Sequence, residues 1–192
     1  MKMNHKPSIL GISGVARSGK DTFYSFISSR IGARRLAFAD ALKDECREFL
    51  VKNIGISPFT NDPKEKEVIR PFLVTYGTHL RRKLDSSCWI KKIEEDARSY
   101  IKDEVLPVVT DVRYRNEADW IHSLGGKLIH ISRTISLDGQ PTLLPPSNNE
   151  EEESDPLLME CADQLINWDT FEDIEECRSI VKQCLKNLQI TN

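Results

Sequence analysis

Apolar runs alternating with helical patterns predict an α/β fold: a mainly parallel central sheet with helices on both faces, in three layers. Three observations carry the prediction. The buried-type strand Ser8–Ser13 runs through a glycine-containing turn into the helix Gly19–Ile31. Two further apolar strands, Leu106–Thr110 and Lys127–Ser132, are separated by a short helical stretch, Asn116–Leu124, that stops at Gly125-Gly126. The chain closes on a strongly periodic helix, with Phe171, Ile174, Cys177, Val181, Cys184 and Leu188 recurring every three or four residues.

The other elements follow in order. Arg34–Ala39 reads as a second strand and Asp40 to Asn53 as a helix. Pro58, Asn61, Asp62 and Pro63 mark a loop over Gly55–Pro63. Lys64–Tyr76 is helical, with Pro71 expected to break or kink it. Trp89–Lys102 is a helix, and Gln164–Asn167 a short last strand. Thr170 and Asp173 form a capping-box-like start to the final helix. Residues 134–155 stand apart. Gly139, Pro141, Pro145, Pro146, Asn148, Asn149 and the run Glu150–Glu153 suggest a flexible loop or lid. A chain of 192 residues suits one domain over 1–192, with that segment as its lid.

Composition narrows the function classes. No apolar run is long enough for a membrane span. The polar stretch Met1–Pro7 lacks the marks of a signal peptide, so the expected location is the cytoplasm. Five scattered cysteines without a CxxC pair suggest neither a zinc site nor a disulfide framework, and Cys177 and Cys184 read as core. Residues 1–133 carry 24 Lys+Arg against 17 Asp+Glu, while residues 134–192 carry 3 against 13. The basic residues are spread rather than striped, which suits a pocket for a small polyanion and not a specific nucleic-acid surface.

The strongest motif is Gly14-Val15-Ala16-Arg17-Ser18-Gly19-Lys20-Asp21-Thr22, of the form G-x-x-x-x-G-K between a strand and a helix. Glycines let the backbone curl so that its N–H groups point at phosphate oxygens, and the helix N-terminus adds its dipole. These nine residues are therefore the expected ATP-binding loop of a P-loop protein, with Lys20 on the β- and γ-phosphates. Asp21 stands where Ser or Thr is usual. It is expected to point away or to meet magnesium-bound water, with Thr22 supplying the hydroxyl.

Asp111 ends an apolar strand and is the expected second magnesium group with Thr22; capping the following helix is the competing role. Asp40 opens a helix, where capping and a place beside the substrate are equally open. Phosphoryl transfer needs cations around the moving group. Candidates are Arg17, Arg70, Arg81, Arg82, Arg113, Arg115 and Arg133, although a solvated surface charge is the default for any arginine. Arg113 and Arg133 rank first because they follow strands. Trp89, Tyr76 and Phe72 could stack on a base, with core packing the default.

Taken together, these segments resemble the bacteriophage-type deoxynucleoside monophosphate kinases. Gly19-Lys20-Asp21-Thr22 is similar to that family's phosphate loop, and Phe38-Ala39-Asp40-Ala41-Leu42-Lys43 to its second-strand motif. Tyr76-Gly77-Thr78 with Arg81 and Trp89-Ile90 resembles its central helical region, and Asp111-Val112-Arg113 with Asn116-Glu117 its third-strand motif. Ile129–Arg133 resembles the strand leading into the lid, and Asn167 to Thr170 the last strand and turn.

The resemblance implies ATP- and Mg2+-dependent phosphorylation of a deoxynucleoside monophosphate. Lys20, Arg17, Asp40, Arg113 and Arg133 become the catalytic candidates, and Asp40, Lys43, Arg70, Arg81, Trp89, Arg113 and Glu117 the acceptor-side candidates. One departure stands out. Residues 134–155 contain no Lys or Arg, so the lid would exclude water without gripping phosphate, and Glu150–Glu153 should face solvent. A kinase for dephospho-coenzyme A or phosphomevalonate, and a non-catalytic nucleotide-binding module, are the alternatives. Base preference and oligomeric state, homodimer included, stay open.

Overall fold

The computed structural model describes residues 7–168 and 174–191. Its contacts group the chain into two compact units, one of residues up to Leu36 and from Ala97 onward, the other Ala37–Asp96.

The first unit holds the sheet. Strands β1 (Leu10–Ser13), β2 (Ala33–Leu36), β3 (Leu106–Val112), β4 (Lys127–Leu137) and β6 (Gln164–Trp168) lie in the order β2-β3-β1-β4-β6, all parallel. A sixth strand, β5 (Gln140–Leu143), pairs antiparallel with the outer part of β4. Strand alternation sends the two faces of β1 to different layers. Leu10 and Ile12 join Phe23 and Ile27 of α1 (Lys20–Arg30) and Cys177, Val181, Cys184 and Leu185 of α7 (Ile174–Asn187) in one buried cluster. Gly11 points the other way, where a Cβ would collide with Ile121 of α5 (Arg115–Ser123). The sheet is thus sandwiched between α1 with α7 and α5, as the strand–helix alternation predicts. Cys177 and Cys184 are core, and burial alone pushes the Cys184 thiol up to about 12.

In the second unit, α2 (Phe38–Ile54) and α3 (Pro63–Val74) pack through Cys46, Leu50 and Ile69. The expected loop between them is present. Asp62 caps α3 by accepting from Lys64 N at 2.7 Å, with Pro63 in the first turn. Pro71 sits inside α3 without ending it. Regular winding instead changes at Thr75, where a π-helical stretch, Thr75–Arg82, begins. Helix α4 (Cys88–Lys102) follows and runs through the boundary between the units.

Two readings are corrected. The second strand ends at Leu36 and α2 begins at Phe38, so Asp40 lies in the first turn of the helix rather than at a strand end. Residues 134–155 are also not an irregular loop. They hold the end of β4, β5 and the start of α6 (Asn149–Cys161). The punctuating residues lie at the corners. Asp138 (φ 50°) and Gly139 (φ 77°) form a two-residue turn with both φ positive, the hairpin geometry that Asp-Gly favours. Asn148 caps α6, its side chain accepting from Glu151 N at 2.9 Å. The capping pair expected for α7, Thr170 and Asp173, lies outside the described residues. Among the described residues no helix is long and apolar enough to cross a membrane.

Candidate active site

The sheet's central strand leads directly into the candidate site. β1 is flanked by β3 and β4, the point at which open α/β sheets place their ligands beyond the strands' carboxyl ends. From Ser13 the chain turns through Gly14 (φ 132°), Arg17 (φ 67°) and Gly19 (φ 101°) into α1. The glycines are needed for packing as well as torsion. A Cβ at Gly14 would collide with the Ile131 carbonyl, and one at Gly19 would sit 3.1 Å from Nε1 of Trp168. Trp168 in turn meets Phe23 edge-on, with ring centroids 5.5 Å apart, so β6 braces the start of α1.

Lys20 curls back over the loop, its Nζ donating to Gly14 O and Val15 O, both at 2.7 Å. Burial lowers its pKa, and the charge of Arg113 adds to that. Glu151, Asp21 and Asp111 oppose it. Arg133 clamps the loop from β4, Nη1 donating to Arg17 O at 3.1 Å. Arg17 itself is exposed. Asp21 and Thr22 are both exposed. Asp111 is half-buried near the end of β3, with its charge felt at Lys20. Val15 and Ser18 are buried, and the Ser18 hydroxyl is an orphan among buried polar atoms.

One finding overturns an expectation. Glu151 does not face solvent; it is 8% exposed and lies against the loop. Its Oε2 accepts from Ala16 N at 3.3 Å, Ser147 N at 2.9 Å and Ser147 Oγ at 2.8 Å, and its Oε1 is 3.6 Å from Arg113 Nη1. Burial pushes its pKa up. The hydrogen bonds from Ser147 and Ala16 and the Arg113 charge outweigh that, leaving the carboxyl below its ordinary value. Repulsion by triphosphate was the reason for expecting exposure. Without it, a loop of inward N–H groups attracts any carboxylate that can reach. Glu152 and Glu153 are exposed as anticipated, while Glu150 is half-buried and accepts from Tyr114 Oη at 3.4 Å.

Below the loop lies a second polar cluster that the sequence reading missed. His130 on β4, 1% exposed, meets Ser13 Oγ through Nδ1 at 3.1 Å, and its Nε2 is 3.7 Å from Asp155 Oδ2. Burial lowers the His130 pKa and raises that of Asp155.

Glu117 is 1% exposed, and its Oε2 accepts from Arg113 N at 2.7 Å and Tyr114 N at 3.1 Å. It therefore closes the start of α5 and fixes the turn that carries Arg113.

The remaining acceptor-side candidates lie in the second unit. Asp40 and Lys43 pair at 3.9 Å, and Arg70 is exposed on α3. Trp89 is 3% exposed and donates Nε1–H to Gly77 O at 3.3 Å, while the Arg81 guanidinium lies 5.7 Å from its ring centroid. It is a buried platform for Arg81, not an open stacking surface. Arg81 is held by Glu45, which the sequence reading did not single out, with Nε 2.8 Å from Oε1.

Residues 45–140 match the family model described as deoxynucleotide monophosphate kinase. A protein of Acanthamoeba polyphaga mimivirus, whose name assigns it provisionally to the same kinase activity, is 32% identical over 142 residues, 65% of this chain and 74% of that one. An uncharacterised protein of Ictalurid herpesvirus 1 (strain Auburn) is 30% identical over 137 residues, covering 71% of this chain and 55% of its own length. Among solved structures, dephospho-CoA kinase from Campylobacter jejuni superposes with a TM-score of 0.56 at 14% identity, covering 94% of this chain and 96% of that one. A sugar kinase from Janibacter sp. HTCC2649 reaches 0.50 at 12% identity, covering 95% of each chain. At such identities the likeness is one of fold, and the fold is that of the P-loop kinases.

Proposed function

Because the chain belongs to the deoxynucleotide monophosphate kinase family, we propose that it moves the γ-phosphoryl group of ATP onto a deoxynucleoside monophosphate, giving the diphosphate and ADP. The observation that carries the reading is the phosphate loop itself, strand-fed and glycine-turned, with a backbone N–H, that of Ala16, already donating to an anionic oxygen.

The chemistry is a direct displacement. An oxygen of the acceptor phosphate forms a bond to the γ-phosphorus as the bond to the β–γ bridging oxygen breaks, and ADP departs with that electron pair. No covalent enzyme intermediate is required, so catalysis is positioning and charge stabilisation. Backbone groups of Gly14, Val15, Ala16, Arg17, Ser18 and Gly19 cradle the donor phosphates, with Asp21 and Thr22 at the helix start. Lys20 leaves Gly14 O and Val15 O for the phosphates. Arg113, fixed through Glu117, and Arg133, fixed on the loop backbone, supply the guanidinium charge that residues 134–155 lack.

Thr22 and Asp111 are hard oxygen donors, and Asp111 lies close enough for its charge to be felt at Lys20, so these two would be the protein groups that hold a magnesium ion. Magnesium supplies charge neutralisation on the bridging phosphates when bound. Asp40, Lys43, Arg70 and Arg81 are assigned to the acceptor side, with Trp89 behind Arg81. Residues 134–155 serve as the lid over the donor, and 1–192 act as one kinase.

The test is ADP release from Mg-ATP with dAMP, dGMP, dCMP, dTMP, the ribonucleotides and dephospho-coenzyme A as acceptors. Turnover with at least one deoxynucleotide, abolished in a folded Lys20→Ala variant, is expected. ATP binding without release for any nucleotide acceptor would overturn the assignment.

A further inference from the structure

The π-helical stretch Thr75–Arg82 points to a second layer of organisation on the acceptor side. In ordinary α-helical winding, residues five apart are about 140° apart around the axis. The i→i+5 bonding of a π-helix brings them to nearly the same side. Tyr76 and Arg81 are five apart, and both reach one carboxylate on α2. Tyr76 Oη donates to Glu45 Oε1 at 2.7 Å, Arg81 Nε lies 2.8 Å from the same oxygen, and Arg81 Nη2 donates to Oε2 at 3.4 Å. Lys92 from α4 closes the group, with Nζ 3.0 Å from Oε2. The winding also presents Gly77, whose carbonyl takes the Trp89 indole N–H and whose Cα side packs on Leu42. Pi-helical turns are rare and are frequently found at functional sites.

We propose that Glu45 is a positioning residue that fixes the Arg81 guanidinium for the acceptor phosphate, a role that rests on the acceptor-side reading of Arg81 above. The geometry leaves Arg81 usable. A guanidinium has five N–H donors, and Glu45 accepts only one of them, from Nη2, while pairing with Nε by charge, so donors are left for an incoming phosphate. The charge balance also favours an anion, because one carboxylate faces both Arg81 and Lys92 and the cluster keeps a net charge of +1. Burial pushes Glu45 up, but the hydrogen bonds of Tyr76 and Lys92 and the charges of Lys92 and Arg81 bring it below its ordinary value, so it is ionised at neutral pH. Trp89 gives the guanidinium a flat floor. Arg81 is thus held on an edge and a face, which pre-organises it at little further entropic cost.

The experiment is steady-state kinetics on the full chain with Mg-ATP and its best deoxynucleotide acceptor. The variants are Glu45→Gln, Arg81→Lys and the pair combined. Glu45→Gln is expected to raise the acceptor KM about tenfold or more while leaving the ATP KM unchanged. The double variant is expected to match Arg81→Lys alone within about threefold, since Glu45 acts through Arg81. Glu45→Asp, which keeps the charge but withdraws the carboxylate by one methylene, should shift the acceptor KM in the same direction and covers the case in which Glu45→Gln does not fold. Multiplicative effects in the double variant, equal rises in both KM values, or an unchanged acceptor KM would overturn the positioning role. Absence of wild-type turnover with every acceptor would instead sink the acceptor-side reading on which it stands.

Discussion

Replacing Glu151 with glutamine should tighten ATP binding. The carboxylate accepts from Ala16 N, a donor that the proposed role assigns to a phosphate oxygen, so nucleotide entry must displace it. The size of the effect follows from what is lost. A hydrogen bond to a charged group contributes roughly 1.5–3 kcal/mol, and the 3.3 Å length of this one places it near the bottom of that range. The Arg113 contact at 3.6 Å involves a side chain that is 53% exposed, so solvent screening holds it to about 0–1 kcal/mol. Glutamine keeps the shape and an acceptor for Ser147 but not the charge. The net gain is about 1–2 kcal/mol, or roughly five- to thirtyfold in Kd. Isothermal titration calorimetry with ATP on wild type and Glu151→Gln measures it directly. Affinity that is unchanged, or weaker in the variant, would refute competition between carboxylate and triphosphate, and would instead place Glu151 among the groups that support the bound state. Because the folded Glu151 carboxyl titrates below its ordinary value, the charged contact persists at neutral pH and fades only as pH falls through that lowered pKa.

Other consequences are open to simpler measurements. Gly14→Ala forces a Cβ onto the Ile131 carbonyl at a positive φ, and a loss of about 2 kcal/mol or more should appear in urea titrations, together with loss of ATP binding. Trp168→Ala removes the partner of Phe23 and the brace on Gly19; about 3–5 kcal/mol of destabilisation is expected by thermal or chemical unfolding. His130 is buried with its pKa lowered below 6.5, so the unfolded chain binds the proton more readily. Its contribution is complete above about pH 6.5 and is lost as pH falls toward the folded value. The His130 part of the Tm, read as the difference between wild type and His130→Asn, should therefore shrink between about pH 7.5 and 5.5.

Much of this protein is legible in its local pattern. The strand–turn–helix geometry of Gly14–Lys20 was readable because its pattern is contiguous: a buried strand, two glycines at fixed spacing and a helix start leave few alternatives for the backbone. The strand–helix alternation likewise determined a parallel sheet, since a parallel pair needs a crossover that here is helical. The Asp138-Gly139 turn and the Asn148-x-x-Glu151 start of α6 were also present as local signals. Proline and acidic composition outweighed them in the reading, although those residues fall at corners and in a helix's first turn, where both are favourable.

What the sequence could not determine were encounters between distant residues. Glu151 meets Ala16 across 135 positions, His130 meets Ser13 across 117, and Glu45 meets Arg81 across 36. A carboxylate in a polar run reads as solvated because solvation is its default. Only the fold, by bringing an unsatisfied N–H or a guanidinium within reach, makes burial the lower-energy state. The π-helical winding of Thr75–Arg82 belongs with these, for its register is decided by what Tyr76, Gly77 and Arg81 contact rather than by their intrinsic propensities.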